Sequence, residues 1–158
     1  PHANPTARAL LARRERYLAT ACGAAPTFQW ASSEMLPDAT LLVIARDDDF
    51  THGVLRSRAF AQWWEHNFAS ADPTLVVATF PFPWSPNRTL SSLTRAEEES
   101  RHSVAVAART GDQASLDDAI SRAYGWPLDL DAPELLARLH QLHRTRASAE
   151  PPSRPIFL

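Results

Sequence analysis

Three consecutive aspartates, Asp47, Asp48 and Asp49, are the residues of this chain whose type and spacing come nearest to a catalytic site. Side chains alternate along an extended segment, so Asp47 and Asp49 would share one side and could hold a metal ion for hydrolysis. The chain has no lysine with which to complete a nuclease set of the Glu-x-Lys type. We favour a strand-to-helix junction, in which Asp49 caps the helix and its neighbours favour the helix N-terminus. A salt bridge to Arg46 or Arg56 is a further alternative.

Other candidate chemistry is sparse. His140 and His143 have an i, i+3 spacing that can bind metal, but no third ligand is apparent, which favours a solvated or interface pair. Four glycines exclude a phosphate-cradling loop and a dinucleotide fingerprint, and a single cysteine excludes a multi-cysteine zinc site. The sequence therefore predicts no catalytic residue, no metal site and no cofactor-binding residue within this chain.

The charge pattern is unusual because all 16 basic side chains are arginines. The favoured explanation is a GC-rich genome, since arginine codons are rich in G and C and lysine codons are not. Selection for bidentate contacts to phosphate or guanine is the alternative. A net charge of −2 argues against a free-standing DNA-binding protein, which usually has a basic surface. It argues less against a recognition module whose parent protein makes most phosphate contacts elsewhere. Arg13 and Arg14 belong to a small basic cluster that is either a solvated helix face or a set of phosphate contacts.

Residue patterns predict the elements that must position these groups. An apolar pattern predicts a first helix over residues 5–19, and alternation predicts a strand over residues 27–31. A continuous apolar run predicts a strand over residues 40–45 that is covered on both faces. Helical periodicity predicts a helix over residues 50–68, and a second β-rich run predicts a strand over residues 74–80.

The predicted helix over residues 50–68 has one broad apolar arc that contains Trp63 and Trp64. These tryptophans and Trp84 could stack on bases, although aromatic residues at helical spacing are more typical of a core. Arg56 falls inside the same arc and needs a partner, for which the acidic triplet is the nearest candidate.

The C-terminal part of the chain is predicted to be helical. A capping box from Thr94 to Glu97 begins one helix, a second runs from Ser115 to a stop at Gly125, and a third begins near Asp131. The fold class is therefore α+β: a small mixed β-sheet with packed helices, followed by a C-terminal helical segment. We predict an α+β domain over residues 1–90, the helical segment over residues 91–148 and a tail over residues 149–158. No apolar run is long enough to span a membrane, and the single cysteine fits a reducing cytoplasm.

Five segments resemble, in order, the C-terminal part of the MmeI-like (type IIL) restriction–modification enzymes and related adenine methyltransferases. They are ARRERYLAT, FQW, LPDATLLVIARDDDFTHGVLRSR, TFPFP and AYGWP, at residues 12–20, 28–30, 36–58, 79–83 and 123–127. The resemblance extends over roughly residues 10–146, and the ordered set is more specific than any single segment.

The resemblance implies that this chain is the DNA target-recognition region of a site-specific, adenine-N6 methyltransferase. It implies an upstream domain that binds S-adenosylmethionine and carries the catalytic motif, so that double-stranded DNA and that domain are the expected partners. The chain itself would not be an enzyme. The expected DNA contacts are Arg46 and Arg58, with Arg13 and Arg14 on phosphates. Arg56, Ser57 and Arg58 stand where the family carries His-Ser-Arg, so the resemblance implies that Arg56 and Ser57 also belong to the DNA-binding residues.

Two segments depart from the family pattern. Residues 20–26 carry no charge where the family has a basic loop, and residues 69–73 are shorter than the corresponding DNA-facing loop. These departures leave an alternative, in which the chain is a protein-interaction module of a restriction or phage-defence system and no longer contacts DNA.

Overall fold

The structure, a computed structural model, describes residues 9–12, 14–23, 25–38, 40–84, 88 and 90–149. Three strands, β1 (Arg16–Ala21), β2 (Gln29–Ser32) and β3 (Leu41–Ile44), form one sheet in the order β2-β1-β3. Both pairings are antiparallel, with Leu18 opposite Trp30 on one side and opposite Ile44 on the other. The α+β class is thus confirmed, whereas the expectation of a mixed sheet is wrong for the described strands.

Each face of the sheet contributes to a different apolar cluster. Leu18 and Ile44 lie in the main core beneath the helices. Tyr17 and Val43 lie on the opposite face and pack with Leu11, which belongs to a helical turn at residues 9–11. The expectation that the β3 strand is covered on both faces is therefore confirmed.

The predicted helix over residues 5–19 is confirmed at residues 9–11, which form a helical turn, and is wrong at residues 16–19, which belong to β1. Residues Arg16–Ala21 form β1, which pairs with both β2 and β3 and is therefore the central strand of the sheet. Its apolar side chains alternate between the two clusters, which is the period of a strand rather than that of a helix. Residues 5–8 lie outside the described residues.

The predicted helix over residues 50–68 is two helices, α1 (Asp49–Arg56) and α2 (Arg58–Phe68), separated at Ser57. Ser57 has an extended backbone conformation and is 1% exposed. Its hydroxyl donates to the carbonyl oxygen of Val54 at 2.7 Å and accepts from the amide of Phe60 at 3.3 Å. One side chain thus ends α1 and caps α2, which stabilises a sharp change of direction.

The β-rich run over residues 74–80 is also helical, as α3 (Pro73–Thr79), so the strand prediction is wrong. Asp72 caps this helix through the amide of Thr74 at 2.8 Å, and Pro73 occupies the first turn. These two signals start a helix despite the β-branched residues that follow. The helix buries Val76 and Val77 in the main core. After it, Phe80 has an extended backbone conformation and is buried in the main core.

The three C-terminal helices are confirmed as α4 (Arg95–Thr110), α5 (Gln113–Tyr124) and α6 (Ala132–Ala149). A 3₁₀ turn at Leu90–Ser92 precedes them. The Thr94–Glu97 capping box is present, and Gly125 ends α5 with a left-handed conformation at φ 70°.

One core joins the two predicted domains. Helix α4 packs against α1, α5 packs against α4, and α6 packs against α2. The main cluster includes Leu18 from the sheet as well as Leu116 and Leu139 from the C-terminal helices. The predicted boundary at residue 90 therefore does not separate two cores. The predicted tail, apart from its first residue, lies outside the described residues.

Candidate functional site

The acidic triplet is a strand-to-helix junction, as favoured, but the capping residue is Asp48 rather than Asp49. The Asp48 carboxylate accepts from the Thr51 amide at 2.8 Å and from the Thr51 hydroxyl at 2.9 Å. This satisfies one of the unpaired amides at the start of α1.

The other two aspartates bind arginines that come from distant parts of the chain. Asp47 accepts from Arg14 at 3.1 Å, and Asp49 accepts from Arg16 at 2.9 Å and from Arg109 at 2.8 Å. We call these five residues the arginine–aspartate cluster. The expected partners of the triplet, Arg46 and Arg56, form none of these ion pairs.

Asp49 is the more firmly held of the two carboxylates, with only 16% of its side chain exposed. Burial alone would raise its pKa, but the hydrogen bonds and charges of Arg109 and Arg16 outweigh burial and hold the pKa below its usual value. Sequence reasoning missed both partners. Arg109 lies on α4, and no pattern in the sequence indicates that α4 packs against α1.

Arg16 connects the cluster to the sheet. Its guanidinium carbon lies 3.8 Å from the centroid of a Trp30 ring, which is a cation–π distance. The same group donates to the backbone oxygen of Asp47, at 3.3 Å from Nε and 3.2 Å from Nη2. Beneath it, the His52 ring nitrogen Nε2 is 3.2 Å from the carbonyl oxygen of Phe28. Strands β1 and β2 and the start of α1 are therefore held together at this junction.

Three of the predicted DNA-contact residues have structural roles. Arg56 donates to the carbonyl oxygen of Ala108 at 3.1 Å, which corrects the expectation of an acidic partner. The Arg58 guanidinium donates to the carbonyl oxygen of Leu130 at 2.8 Å, and its amide donates to Asp117 at 2.7 Å. Ser57 is the buried cap between α1 and α2. Arg56 and Arg58 tie α1 and α2 to the C-terminal helical segment, whereas Ser57 joins α1 to α2.

The remaining predicted contacts are Arg46, Arg14 and Arg13. Arg46 follows β3, is partly exposed, and its guanidinium has no hydrogen-bond or ion-pair partner among the described residues. Arg14 is paired with Asp47, while its Nε atom is buried without a hydrogen-bond partner among the described residues. Arg13 lies outside the described residues. Arg46 is thus the candidate whose charged group is available to a ligand.

The tryptophans considered for base stacking belong to the core. Trp63 and Trp64 are 2% and 1% exposed, and the Trp63 indole donates to the carbonyl oxygen of Val76 at 3.0 Å. Trp84 is partly buried and stacks on Phe50, with ring centroids 5.0 Å apart. The core interpretation is therefore the one that the structure supports.

His140 and His143 lie at the contact between α6 and α2. Their rings are 4.9 Å and 5.6 Å from the Trp63 ring, and His66 of α2 is 5.1 Å from His140. The part of the chain that the structure describes holds no group of three or more His, Cys, Asp or Glu side chains that could bind a metal ion. The pair is an interface pair, as favoured.

Acid is expected to weaken the α2–α6 contact through His140. Burial, followed by the charges of His66, Arg144 and His143, lowers the pKa of His140, and its Nε2 atom is buried without a described partner. Below the usual value of 6.5, the unfolded chain therefore binds more protons than the folded chain does. The free energy of unfolding should fall as the pH falls below that value, and the loss should level off below the lowered pKa of the folded state.

Urea denaturation between pH 5 and pH 7.5 checks this expectation. His140→Gln should reduce the dependence of the midpoint on pH, whereas the control His102→Gln, at an exposed position of α4, should not. An unchanged pH dependence in His140→Gln would contradict the assignment.

An open groove lies beside the uncharged loop at residues 20–26. Its volume is about 500 Å³, and its lining includes Thr20, Gly23, Trp30 and Leu41, together with several alanines. Among the described residues, no aspartate, glutamate, lysine or arginine lines it, and its polar side chains are those of Thr20, Thr27 and Gln29. The described lining therefore offers no cation to a phosphate backbone.

No protein-family model matches the chain, and no curated protein or solved structure is significantly similar to it. Within the described residues, no helix is both long enough and apolar enough to cross a lipid bilayer. The proposed function therefore depends on the residues of this chain alone.

Proposed function

We propose that this chain is the target-recognition and C-terminal region of a site-specific DNA methyltransferase that modifies adenine at N6. It acts in the cytoplasm and is not catalytic by itself. An upstream domain of the same protein supplies S-adenosylmethionine and the catalytic residues. This region holds the duplex so that the target adenine can be flipped into the upstream pocket.

The observation that carries the proposal is that the resembling segments contact one another through specific hydrogen bonds. Arg16 of ARRERYLAT binds Asp49 of the segment at residues 36–58 at 2.9 Å. His52 of that segment contacts the carbonyl oxygen of Phe28 in FQW at 3.2 Å. Tyr124 of AYGWP donates to the carbonyl oxygen of Pro81 in TFPFP at 2.8 Å. Segments far apart in the sequence thus pack together in the fold, which supports the proposal that they form one recognition region.

The proposed contact to DNA is Arg46. It stands at the end of β3, next to the arginine–aspartate cluster, and its guanidinium is available to a ligand. A guanidinium can bind a guanine edge or a phosphate with two parallel hydrogen bonds. Because Arg56, Ser57 and Arg58 hold the helices together, their expected effect on DNA binding is indirect.

Fluorescence anisotropy with random-sequence duplex DNA, at low and at moderate salt, tests the proposal. We expect the logarithm of the association constant to fall linearly with the logarithm of the salt concentration. Arg46→Ala should weaken binding. A phosphate contact would weaken all sequences alike and reduce the salt slope by about 0.9, whereas a guanine contact would cost about 1–3 kcal/mol at one base position.

Arg95→Ala is the matched control, since the Arg95 side chain is 94% exposed and, among the described residues, pairs only with Glu99 of its own helix. It should leave the affinity for DNA nearly unchanged. If Arg46→Ala and Arg95→Ala weaken DNA binding equally, Arg46 is not a specific DNA contact. Absence of binding at low salt would contradict DNA recognition by this chain.

The second candidate is a protein-interaction module, which the open groove beside the uncharged loop at residues 20–26 favours. In that case the affinity for DNA would be negligible at every salt concentration. A charge placed in the groove, as in Ala25→Glu, would abolish binding to the partner subunit without changing the stability of the fold.

A further inference from the structure

We infer that the arginine–aspartate cluster is a binding site for a backbone phosphate of nucleic acid, and that the Asp47 carboxylate occupies the position of that phosphate in the free protein. Asp47 would then act as an internal competitor that lowers the affinity for DNA. The inference rests on the proposed function, and it adds Arg14 and the neighbouring arginines of the cluster to the proposed DNA contacts.

The two carboxylates of the cluster are not equivalent. Asp49 is 16% exposed and bridges Arg16 and Arg109, so it orients both guanidinium groups. Asp47 is 46% exposed and accepts from one guanidinium only, that of Arg14. Asp49 is therefore built into the structure, whereas Asp47 can be replaced.

Replacement of Asp47 by a phosphate costs little. An exposed ion pair contributes about 0–1 kcal/mol, because water and salt screen the charges. A phosphate offers more acceptor oxygens than one carboxylate oxygen, and arginine binds it with two parallel hydrogen bonds. The buried Nε of Arg14, which has no described hydrogen-bond partner, shows that Asp47 leaves part of the donor capacity of Arg14 unused.

The cluster keeps its shape when the Asp47 side chain moves away. Arg16 holds the backbone at this point, since both its Nε and its Nη2 donate to the carbonyl oxygen of Asp47. Asp48 continues to cap α1. Asp49 and Trp30 hold Arg16, and Asp49 also holds Arg109, independently of Asp47. Arg14 would then exchange the Asp47 carboxylate for the phosphate.

Three guanidinium groups meet at the cluster, and Arg46 directly precedes Asp47 in the sequence. The acidic triplet supplies three carboxylates against them, of which that of Asp48 is bound to Thr51 at the start of α1. The attraction for a phosphate would therefore come mainly from Arg14 and from Arg46, whose guanidinium has no partner among the described residues.

The test compares Asp47→Asn with Glu99→Gln in the anisotropy titration with duplex DNA. Both substitutions remove one negative charge from an exposed carboxylate that pairs with an arginine, and Glu99 is 65% exposed on α4. We expect Asp47→Asn to bind DNA about threefold to fivefold more tightly than Glu99→Gln does, which matches the small strength of the pair that is removed. In an Arg14→Gln background, the gain from Asp47→Asn should disappear.

The outcomes separate the inference from the proposed function. If the unsubstituted chain binds DNA and Asp47→Asn behaves like Glu99→Gln, the inference is wrong and the proposed function stands. If both chains bind and Asp47→Asn binds at least threefold more tightly than Glu99→Gln does, the inference is supported. If neither chain binds at low salt while both remain folded by circular dichroism, the inference and the proposed function are both overturned.

Discussion

Replacing Trp63 by alanine is expected to lower the free energy of unfolding by about 3–5 kcal/mol, the usual cost of removing a buried tryptophan. Trp63 is 2% exposed and contacts Phe80, His140 and His143. Its indole also donates to the carbonyl oxygen of Val76 at 3.0 Å. The substitution would leave a cavity where α2, α3 and α6 meet. It would also remove the nearer of two donors to the Val76 carbonyl oxygen, the other being the Thr79 hydroxyl at 3.4 Å.

Urea denaturation followed by circular dichroism measures this loss. Trp63→Phe separates the two causes, because phenylalanine retains most of the apolar contact but cannot donate to Val76. We expect the free energy of unfolding of Trp63→Phe to lie between those of the original chain and of Trp63→Ala. Leu128→Ala, at a side chain that is 44% exposed, is the control and should change the free energy of unfolding by less than about 0.5 kcal/mol. A similarly small effect of Trp63→Ala would show that α6 does not pack on Trp63.

Replacing Gly53 by valine is expected to destabilise the fold by about 3 kcal/mol, the upper end of the usual cost of overpacking. A Cβ atom at Gly53 would lie 3.0 Å from Cβ of Ala108, 3.1 Å from Cγ1 of Val104 and 3.2 Å from Cδ1 of Leu116. Helices α1 and α4 approach each other closely because Gly53 has no side chain. Alanine favours a helix by about 1 kcal/mol over glycine, so Gly53→Ala should be destabilised by less than Gly53→Val.

Gly23→Ala is the matched control, since nothing lies within 4 Å of a Cβ atom at that position. It should leave the free energy of unfolding nearly unchanged. Displacement of α4 by Gly53→Val would also move Arg109 away from Asp49. The variant should therefore weaken DNA binding under conditions in which it remains folded. Unchanged stability of Gly53→Val would contradict the close approach of α1 and α4.

The absence of lysine has a structural consequence that does not depend on DNA. Arg56 and Arg58 each donate to a carbonyl oxygen on or near the C-terminal helices, and Arg146 donates to the carbonyl oxygens of Phe82 and Pro83, the latter at 3.0 Å. A planar guanidinium can satisfy backbone groups in this way while its charge remains near the surface. A high arginine content in this chain is therefore a poor indicator of a basic surface.

Local signals in the sequence determined much of the secondary structure. The capping box at Thr94, the stop at Gly125 and the apolar run of β3 each act within a few residues, so the pattern alone predicts them. Two predictions from local patterns are wrong. In one, a helix-start signal outweighs the β-propensity of the residues that follow, and in the other, strand pairing outweighs a helical pattern. Asp72 and Pro73 begin a helix in a β-rich run, and pairing on both sides makes Arg16–Ala21 a strand.

Only the tertiary structure decided which charged groups meet. The sequence by itself determined the α+β class, the junction at the acidic triplet and the short list of arginines. It could not indicate that Asp49 would pair with Arg109, 60 residues away, or that Arg56 and Arg58 would bind carbonyl oxygens. Side-chain periodicity shows which face of an element is buried, but the packing of helix on helix brings distant charges within a few ångströms of each other.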